Sequence, residues 1–297
     1  MNKDPNWDLY RTFGAVLEEG SLSGAARALG LTQPSVARHI DALEAAIGAD
    51  LFIRTQRGLT PTDLALELKP YVDLLGSTAA ALRRTADGSP GEVSGTVRIS
   101  TSEVVGIEHM AAILTKMRRR YPELALEMTL SNDVDDLAQR EADIAIRMVR
   151  PTQQALIARR VGVIPLGLHA HRSYLDRRGM PESLADLKAY DLIGFDVETP
   201  AIRRIAAEFP QLSRSVFAFR SDSDVAQLAA IRAGFGIGVC QRPVAARDPN
   251  LVAVLPDAFR VDLDVWVVMH EDLRTSMRCR AVFDALVEGL RPLVTKS

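Results

Sequence analysis

The stretch SLSGAARALGLTQPSVARHIDALEAAIG, residues 21–48, decides the fold of the N-terminal part of the chain. Ser21 or Ser23 can cap a short helix through Ala25, Ala26 and Leu29, because a hydroxyl there accepts from the free N–H groups of a first helical turn. Gly30 supplies a left-handed stop. Thr32 then caps a longer helix that tolerates Pro34 in its first turn, with Val36, Ile40, Leu43 and Ile47 as its buried stripe. Helix, tight glycine turn and helix in this order read as helix-turn-helix.

Upstream, Trp7, Tyr10, Phe13, Val16 and Leu17 recur at spacings of three and four, which predicts an amphipathic helix ending near Glu19-Gly20. Downstream, Leu51-Phe52-Ile53-Arg54 and Leu59-Thr60 flank Thr55-Gln56-Arg57-Gly58, a hairpin that would form a wing. From Thr62, the residues Leu64, Leu68, Val72, Leu75, Ala79 and Leu82 trace the seam of a helix that packs against a partner helix, with a kink expected at Pro70. Asp87-Gly88-Ser89-Pro90-Gly91 reads as a flexible hinge.

Beyond the hinge, strands and helices alternate. Strands are expected at 93–100, 124–130, 143–147, 157–163, 165–169, 192–195, 216–219, 236–239 and 263–269, and helices at 104–121, 134–140, 223–233 and 276–290. This βα texture implies a mostly parallel sheet with helices on both faces, and its length allows two lobes with a ligand cleft at the strand ends.

The chain resembles the LysR-type transcriptional regulators at Ala25-Ala26-Arg27-Ala28-Leu29, Thr32 to Ile40, Leu43-Glu44, Leu51-Phe52-Ile53-Arg54 and Leu59-Thr60-Pro61-Thr62. The likeness continues more loosely through Gly95 to Ile99, Asp143 to Arg147, Ser183 to Leu187 and Ala233 to Gly238. It implies an α/β protein with an N-terminal, helix-rich winged helix-turn-helix (1–62), a dimerisation helix and hinge (63–91), and an effector domain (92–297). The effector domain would consist of two Rossmann-like lobes resembling type 2 periplasmic binding proteins, at about 92–164 plus 268–297 and at 165–267. Ala37 and His39 depart from the serine and glutamine usual in that family, and so bear on base preference and phosphate contact.

With Val36, Ile40, Leu43 and Ile47 buried, Thr32, Gln33, Pro34, Ser35, Arg38 and His39 would lie on or beside the face that meets a major groove. Gln33 suits an adenine edge, Arg38 a guanine edge or a phosphate, and the free N–H groups at Thr32 and Gln33 a phosphate. The blander reading makes Arg38 and His39 solvated helix residues. Arg54 and Arg57 bracket the wing turn where flanking DNA would run, unless Arg54 is held by Asp50.

For the effector, Thr101 and Ser102 end a strand just before a helix, Asn132 follows the second strand and Arg147 ends the third. An arginine there suits a carboxylate ligand through a bidentate fork. His169, Phe195, Asp196, Ser221 and Gln241 sit at or past strand ends of the other lobe, where each could equally be a helix cap or a loop contact.

Other signals are weaker. Gly234-Phe235-Gly236-Ile237-Gly238 follows a helix and leads into a strand, the reverse of a nucleotide fingerprint. His169 and His171 lack further metal ligands nearby, and Arg118-Arg119-Arg120 falls at a helix end whose negative dipole it offsets. Two cysteines, Cys240 and Cys279, are too few for a disulfide framework and read as small buried hydrophobes. Met1 to Leu9 has no apolar leader segment, and no apolar run approaches the roughly 20 residues of a membrane span.

A cytoplasmic regulator without enzymatic activity, cofactor or membrane association is therefore expected, with promoter DNA, a small effector and further copies of itself as partners. A homodimer through the linker helix, a homotetramer beyond it and contact with RNA polymerase complete that expectation. The alternatives are a two-lobed solute-binding protein or enzyme, and a thiol-based redox sensor. Charge argues against none of these: 36 Lys and Arg face 38 Asp and Glu, a net −2, and residues 1–64 hold six basic against eight acidic side chains. Near-neutral heads imply weak non-specific binding and reliance on paired half-sites.

Overall fold

The computed structural model describes residues 5–55, 58–86, 92–132, 142–151 and 155–295. Arg57, the hinge at 87–91 and the helix expected at 134–140 lie outside the described residues. The chain forms two compact units, one running up to Ala86 and one containing the residues from 92 onward.

The first unit begins with α1 (Trp7–Glu19), α2 (Leu22–Leu29) and α3 (Gln33–Ile47). The caps fall where the sequence places them. Ser21 Oγ accepts from Gly24 N and Thr32 Oγ1 from Ser35 N, while Gly20, Gly30 and Gly48 end the three helices in the left-handed region. Phe13, Val16, Ala25, Ala26, Val36, Ile40 and Leu43 close one core. Ile47, expected in that stripe, is 37% exposed, because the last turn of α3 runs past the end of the core.

The wing is the antiparallel pair β1 (Phe52–Thr55) and β2 (Gly58–Pro61), and Phe52 packs edge-on against Phe13. The following helix, α4 (Asp63–Ala86), continues through Pro70 as one 24-residue element. Its expected seam is divided between two tasks. Leu64, Ala65, Leu68 and Val72 complete the core of this unit, whereas Leu66, Tyr71, Leu74, Leu75 and Leu82 remain exposed.

In the second unit the elements are β3 (Gly95–Thr101), α5 (Glu103–Val105), a π-turn (Gly106–Met110), α6 (Ala111–Arg120), β4 (Leu124–Leu130), β5 (Ile144–Arg147) and β6 (Leu156–His171). They continue as α7 (Arg172–Arg178), β7 (Leu192–Gly194), α8 (Pro200–Glu208), β8 (Phe217–Arg220), α9 (Asp224–Arg232), β9 (Gly238–Gln241), α10 (Arg242–Ala245), β10 (Leu251–Val254), β11 (Val261–His270) and α11 (Met277–Leu290).

The main sheet is mixed, not mostly parallel as the βα alternation implied. Its order is β10-β6-β11-β5-β3-β4, with β9 also on β6, and only the β3–β4 and β3–β5 pairs are parallel. The cause lies in β6 and β11, two long antiparallel strands that run through both lobes. Near its start β6 pairs with β11 alone, and from Leu166 onward it takes β9 and β10 as neighbours. The two strands expected on either side of Ile164 are therefore one, and Pro165 is accommodated inside it opposite Asp262. A register shift between Val265 and Trp266 bends the pair near Gly162, where a Cβ would come within 2.6 Å of the Val294 side chain.

The first-lobe core joins Val97, Ile99, Ile144, Ile146 and Ile164 to Val282, Phe283 and Leu286 of α11. Leu168, Tyr174, Leu192, Ile237 and Phe259 form a core of the second lobe, and Ile193, Leu228, Ile231, Cys240 and Val244 form another. The glycine-rich run at 234–238 is a packing turn: a Cβ on Gly236 would lie 2.0 Å from the Asp191 carbonyl oxygen, which accepts from Ile237 N. Arg118 bonds the Leu124 and Pro122 carbonyls, closing the turn between α6 and β4.

Candidate functional site

On the first unit, the start of α3 presents a polar, exposed face. Arg38 Nη2 donates to Ser35 Oγ at 3.3 Å, and Ser35 Oγ lies 2.9 Å from Thr32 Oγ1. Among the described residues no carboxylate pairs with Arg38. Gln33 Oε1 takes Ser23 Oγ–H at 3.2 Å, which leaves its amide N–H groups for a base edge. Pro34 is exposed beside it. Arg54 is exposed on β1 and, contrary to the alternative through Asp50, forms no ion pair among the described residues. His39 differs from the other candidates: its Nδ1 lies 2.8 Å from Thr12 Oγ1, so the ring sits on the flank against α1 and not at the centre of the reading face. Glu44 was not singled out as a site residue, yet its Oε1 accepts from Leu51 N at 2.7 Å and Phe52 N at 3.1 Å and pins the wing to α3.

In the second unit, the lobes meet across residues from both sides. From the first lobe come Glu103, Glu108, His109 and Asn132; from the second come Ser223, Asp224, Arg232, Gln241 and Arg247. Glu103 Oε2 accepts from Ser223 Oγ at 2.8 Å, and Asn132 Nδ2 reaches Asp224 Oδ2 at 3.4 Å. The π-turn carries the remaining contacts. Glu108 takes Arg232 in a fork at 2.6 and 3.1 Å and Arg247 at 3.2 Å, while His109 Nε2 meets Gln241 Oε1 at 3.0 Å. The wider π-turn re-aims side chains relative to an α-helix. Here it coincides with the residues that cross between the lobes.

Of the residues nominated for the cleft, Asn132 and Gln241 form bonds between the lobes, and Ser102 is the N-cap residue of α5. Ser221 Oγ accepts from Ser223 N and supports the start of α9. Thr101 is fully buried at the end of β3 beside Gly106, with no hydrogen-bond partner for Oγ1. Four of the nominated residues are placed otherwise. His169 is enclosed within the second lobe, with Nδ1 3.0 Å from the Gly167 carbonyl oxygen and 3.4 Å from Cys240 Sγ; burial lowers its affinity for a proton. Asp196 is a surface ion-pair partner of Arg214, and Phe195 precedes it on the same exposed loop. Arg147 is buried, donating to Ser100 Oγ at 2.9 Å and to the Ile146 carbonyl at 3.0 Å, so it is not presented as an open carboxylate clamp.

Glu103 and Asp224 bring two carboxylates to the junction, and among the described residues no cation pairs with either. Burial, and then the charge of Glu103, push the Asp224 carboxyl up to about 6, against the opposing bond from Asn132. The folded chain therefore holds this proton more readily than the unfolded chain. The resulting penalty is present above about pH 6 and is relieved as pH falls through 6 toward the ordinary value. Asp224→Asn is expected to add about 3 kcal/mol at pH 7.5, from a shift of roughly two units, and about 0.5 kcal/mol at pH 4. Denaturant unfolding at the two pH values checks this, and equal gains at both would remove the titration of Asp224 as the cause. His109 acts in the opposite direction: burial lowers its proton affinity, so its contribution is lost as pH falls below the ordinary histidine range.

Cys240 and Cys279 belong to different cores, and burial pushes the Cys240 thiol up to about 12, far from a reactive thiolate. Among the described residues no helix is long and apolar enough to cross a membrane.

Two family models match the chain. Residues 7–66 fit the bacterial regulatory helix-turn-helix protein of the lysR family, and residues 90–291 fit the LysR substrate binding domain. The chain belongs to the LysR family of transcriptional regulators. This LysR regulator is 28% identical over 293 residues to the Mau operon transcriptional activator of Paracoccus denitrificans, covering 93% of this chain and 94% of the relative. An HTH-type transcriptional regulator of Xanthomonas campestris is 30% identical over 169 residues, but the match spans only 57% of this chain and 49% of that protein. Among solved structures, CrgA from Neisseria meningitidis shares the fold with a TM-score of 0.60 at 24% identity, covering 96% of this chain and 99% of that one. Full-length CbnR in complex with its target DNA shares it with a TM-score of 0.64 at 20% identity, covering 97% and 100%. The helix-turn-helix of this regulator is accordingly its DNA-binding domain, and the two-lobed unit its effector-binding domain.

Proposed function

We propose that this LysR regulator binds dyad-symmetric promoter DNA as a dimer joined through α4, assembled further into a tetramer, and that a small effector held between the lobes changes the spacing of the paired heads. The exposed start of α3, with Arg38 free of any carboxylate, carries the DNA part of this reading. Arg54 adds a second cation on the wing. One head offers few phosphate contacts, so affinity would come from pairing heads on correctly spaced half-sites.

The exposed apolar residues of α4 support pairing. Leu82 and Tyr71 are each 68% exposed, and Leu66, Leu74 and Leu75 are uncovered as well, along a helix about 36 Å long. Covering such a stripe with a second helix removes it from water. Leu75→Glu is expected to shift the protein toward single chains in sedimentation and to abolish protection of a two-half-site footprint. A Leu75→Glu chain that sediments and footprints like wild type would remove α4 as the pairing element.

The junction residues support an effector between the lobes, since a ligand acts only if it favours one lobe arrangement over another. A carboxylate effector would reach Arg147 by displacing Ser100 Oγ. Thermal-shift screening of carboxylates against wild type and Arg147→Met tests that route, and equal stabilisation of both proteins would count against it. A regulatory, non-enzymatic role in the cytoplasm, with RNA polymerase as a further partner, completes the proposal.

A further inference from the structure

Thr12 is 1% exposed on the side of α1 that meets α3. Its Oγ1 lies 2.7 Å from the Asp8 carbonyl oxygen and 2.8 Å from His39 Nδ1. A threonine hydroxyl has one proton to give. The Asp8 carbonyl can only accept, so that proton is directed back along the helix in the usual bond to the residue four earlier. Thr12 then offers His39 only a lone pair, and Nδ1 must carry a hydrogen. Two states of the ring meet this condition: the neutral Nδ1–H tautomer and the imidazolium. They differ only at Nε2, which has no hydrogen-bond partner among the described residues.

His39 lies on α3 one turn beyond Ser35 and next to Arg38, on the flank of the reading face. We propose that His39 is a proton-linked phosphate contact of the reading head, oriented by Thr12, in which Nε2 takes a proton from water and donates it in a hydrogen bond to a DNA phosphate oxygen beside the groove. This rests on the DNA-binding reading of α3. Without that proton Nε2 presents a lone pair, which a phosphate oxygen repels; with it, the ring is a charged donor already held at its other nitrogen. The charged and titratable groups on the packed elements are Asp8, Tyr10, Arg11, Glu18 and Glu19 of α1, Arg27 of α2, Arg38, Asp41 and Glu44 of α3, and Arg54 of β1. None forms an ion pair with the ring. A ring protonated at both nitrogens adds one positive charge to each engaged head.

The test measures affinity of the full chain for the duplex upstream of its own coding region, by fluorescence anisotropy at pH 6 and pH 8 and at several salt concentrations. Wild type is expected to bind about fivefold more tightly per head at pH 6 than at pH 8, as one charge-assisted contact allows. His39→Gln should lose the rise at pH 6 and show at pH 6 a salt slope shallower by about one per head. Thr12→Val, which leaves the ring unheld, should lose most of the rise, and Thr12→Ser should restore it. The same pH dependence in wild type and His39→Gln overturns the inference, as does an equal drop at both pH values, which would make His39 a strut between helices. Absence of binding by wild type at either pH would instead count against this duplex as its target and against the DNA reading that the inference uses.

Discussion

Arg38→Ala is expected to weaken binding to its upstream duplex by about a hundredfold or more at moderate salt. Losing an arginine contact to a guanine edge costs about 1–3 kcal/mol, and a dimer loses it twice. The fold should be indifferent to the change, because Arg38 is exposed and its protein partner is the nearby Ser35 hydroxyl. Stability within about 0.5 kcal/mol of wild type is the matching control. Competition with unrelated duplex separates the two roles open to this side chain. A base contact makes the loss specific to the target, and a phosphate contact weakens all sequences alike and flattens the salt slope. If Arg38→Ala binds as wild type does, the start of α3 is not the reading head.

Glu44→Ala should be the most damaging single change in the polar structure of the first unit. One carboxylate oxygen accepts from two backbone N–H groups at the start of the wing, beside the fully buried Leu51. Hydrogen bonds to a charged acceptor contribute about 1.5–3 kcal/mol each, and removing the acceptor leaves both donors without a partner. A loss of about 3 kcal/mol is expected for this unit. For a domain of this size that corresponds to a fall in midpoint temperature on the order of 15 °C. Glu44→Gln keeps one acceptor oxygen and should lose about 1 kcal/mol. Because Arg54 rides on the strand that Glu44 anchors, DNA affinity should fall with stability in Glu44→Ala. Calorimetry that finds Glu44→Ala as stable as wild type would mean that water satisfies both amides.

Much of the reading head was legible in the sequence because its signals are local. Gly20, Gly30, Ser21 and Thr32 act within one or two turns of their own positions, and Phe13, Val16, Val36 and Ile40 recur at helical spacing. Ile47 and the seam of α4 were misjudged because periodicity shows that a face is apolar without showing what covers it. Leu68 and Val72 turn to the core of their own unit, and Leu75 and Leu82 do not. The mixed sheet escaped for a related reason. A run of alternating elements carries no sign of strand direction, and β11 returns antiparallel between β5 and β6 from about a hundred residues away.

The lobe junction follows the same division. Ser102, Asn132, Ser221 and Gln241 could be nominated because strand ends are visible in the pattern. Glu103, Glu108, His109, Ser223 and Asp224 could not, since each looks like an ordinary first-turn or surface residue until its partner is known. Their bonds across the lobes join positions 92 to 139 residues apart, as in Asn132–Asp224 and Glu108–Arg247. Thr12 and His39, 27 residues apart, show the same limit on a smaller scale. Helices, caps, wing and family were written in neighbouring residues, whose preferences are set by short-range sterics and hydrogen bonding. Which buried donor meets which acceptor, and hence which carboxyl or imidazole shifts its proton, depended on chain segments brought together by burying their apolar faces, a process that is blind to sequence distance.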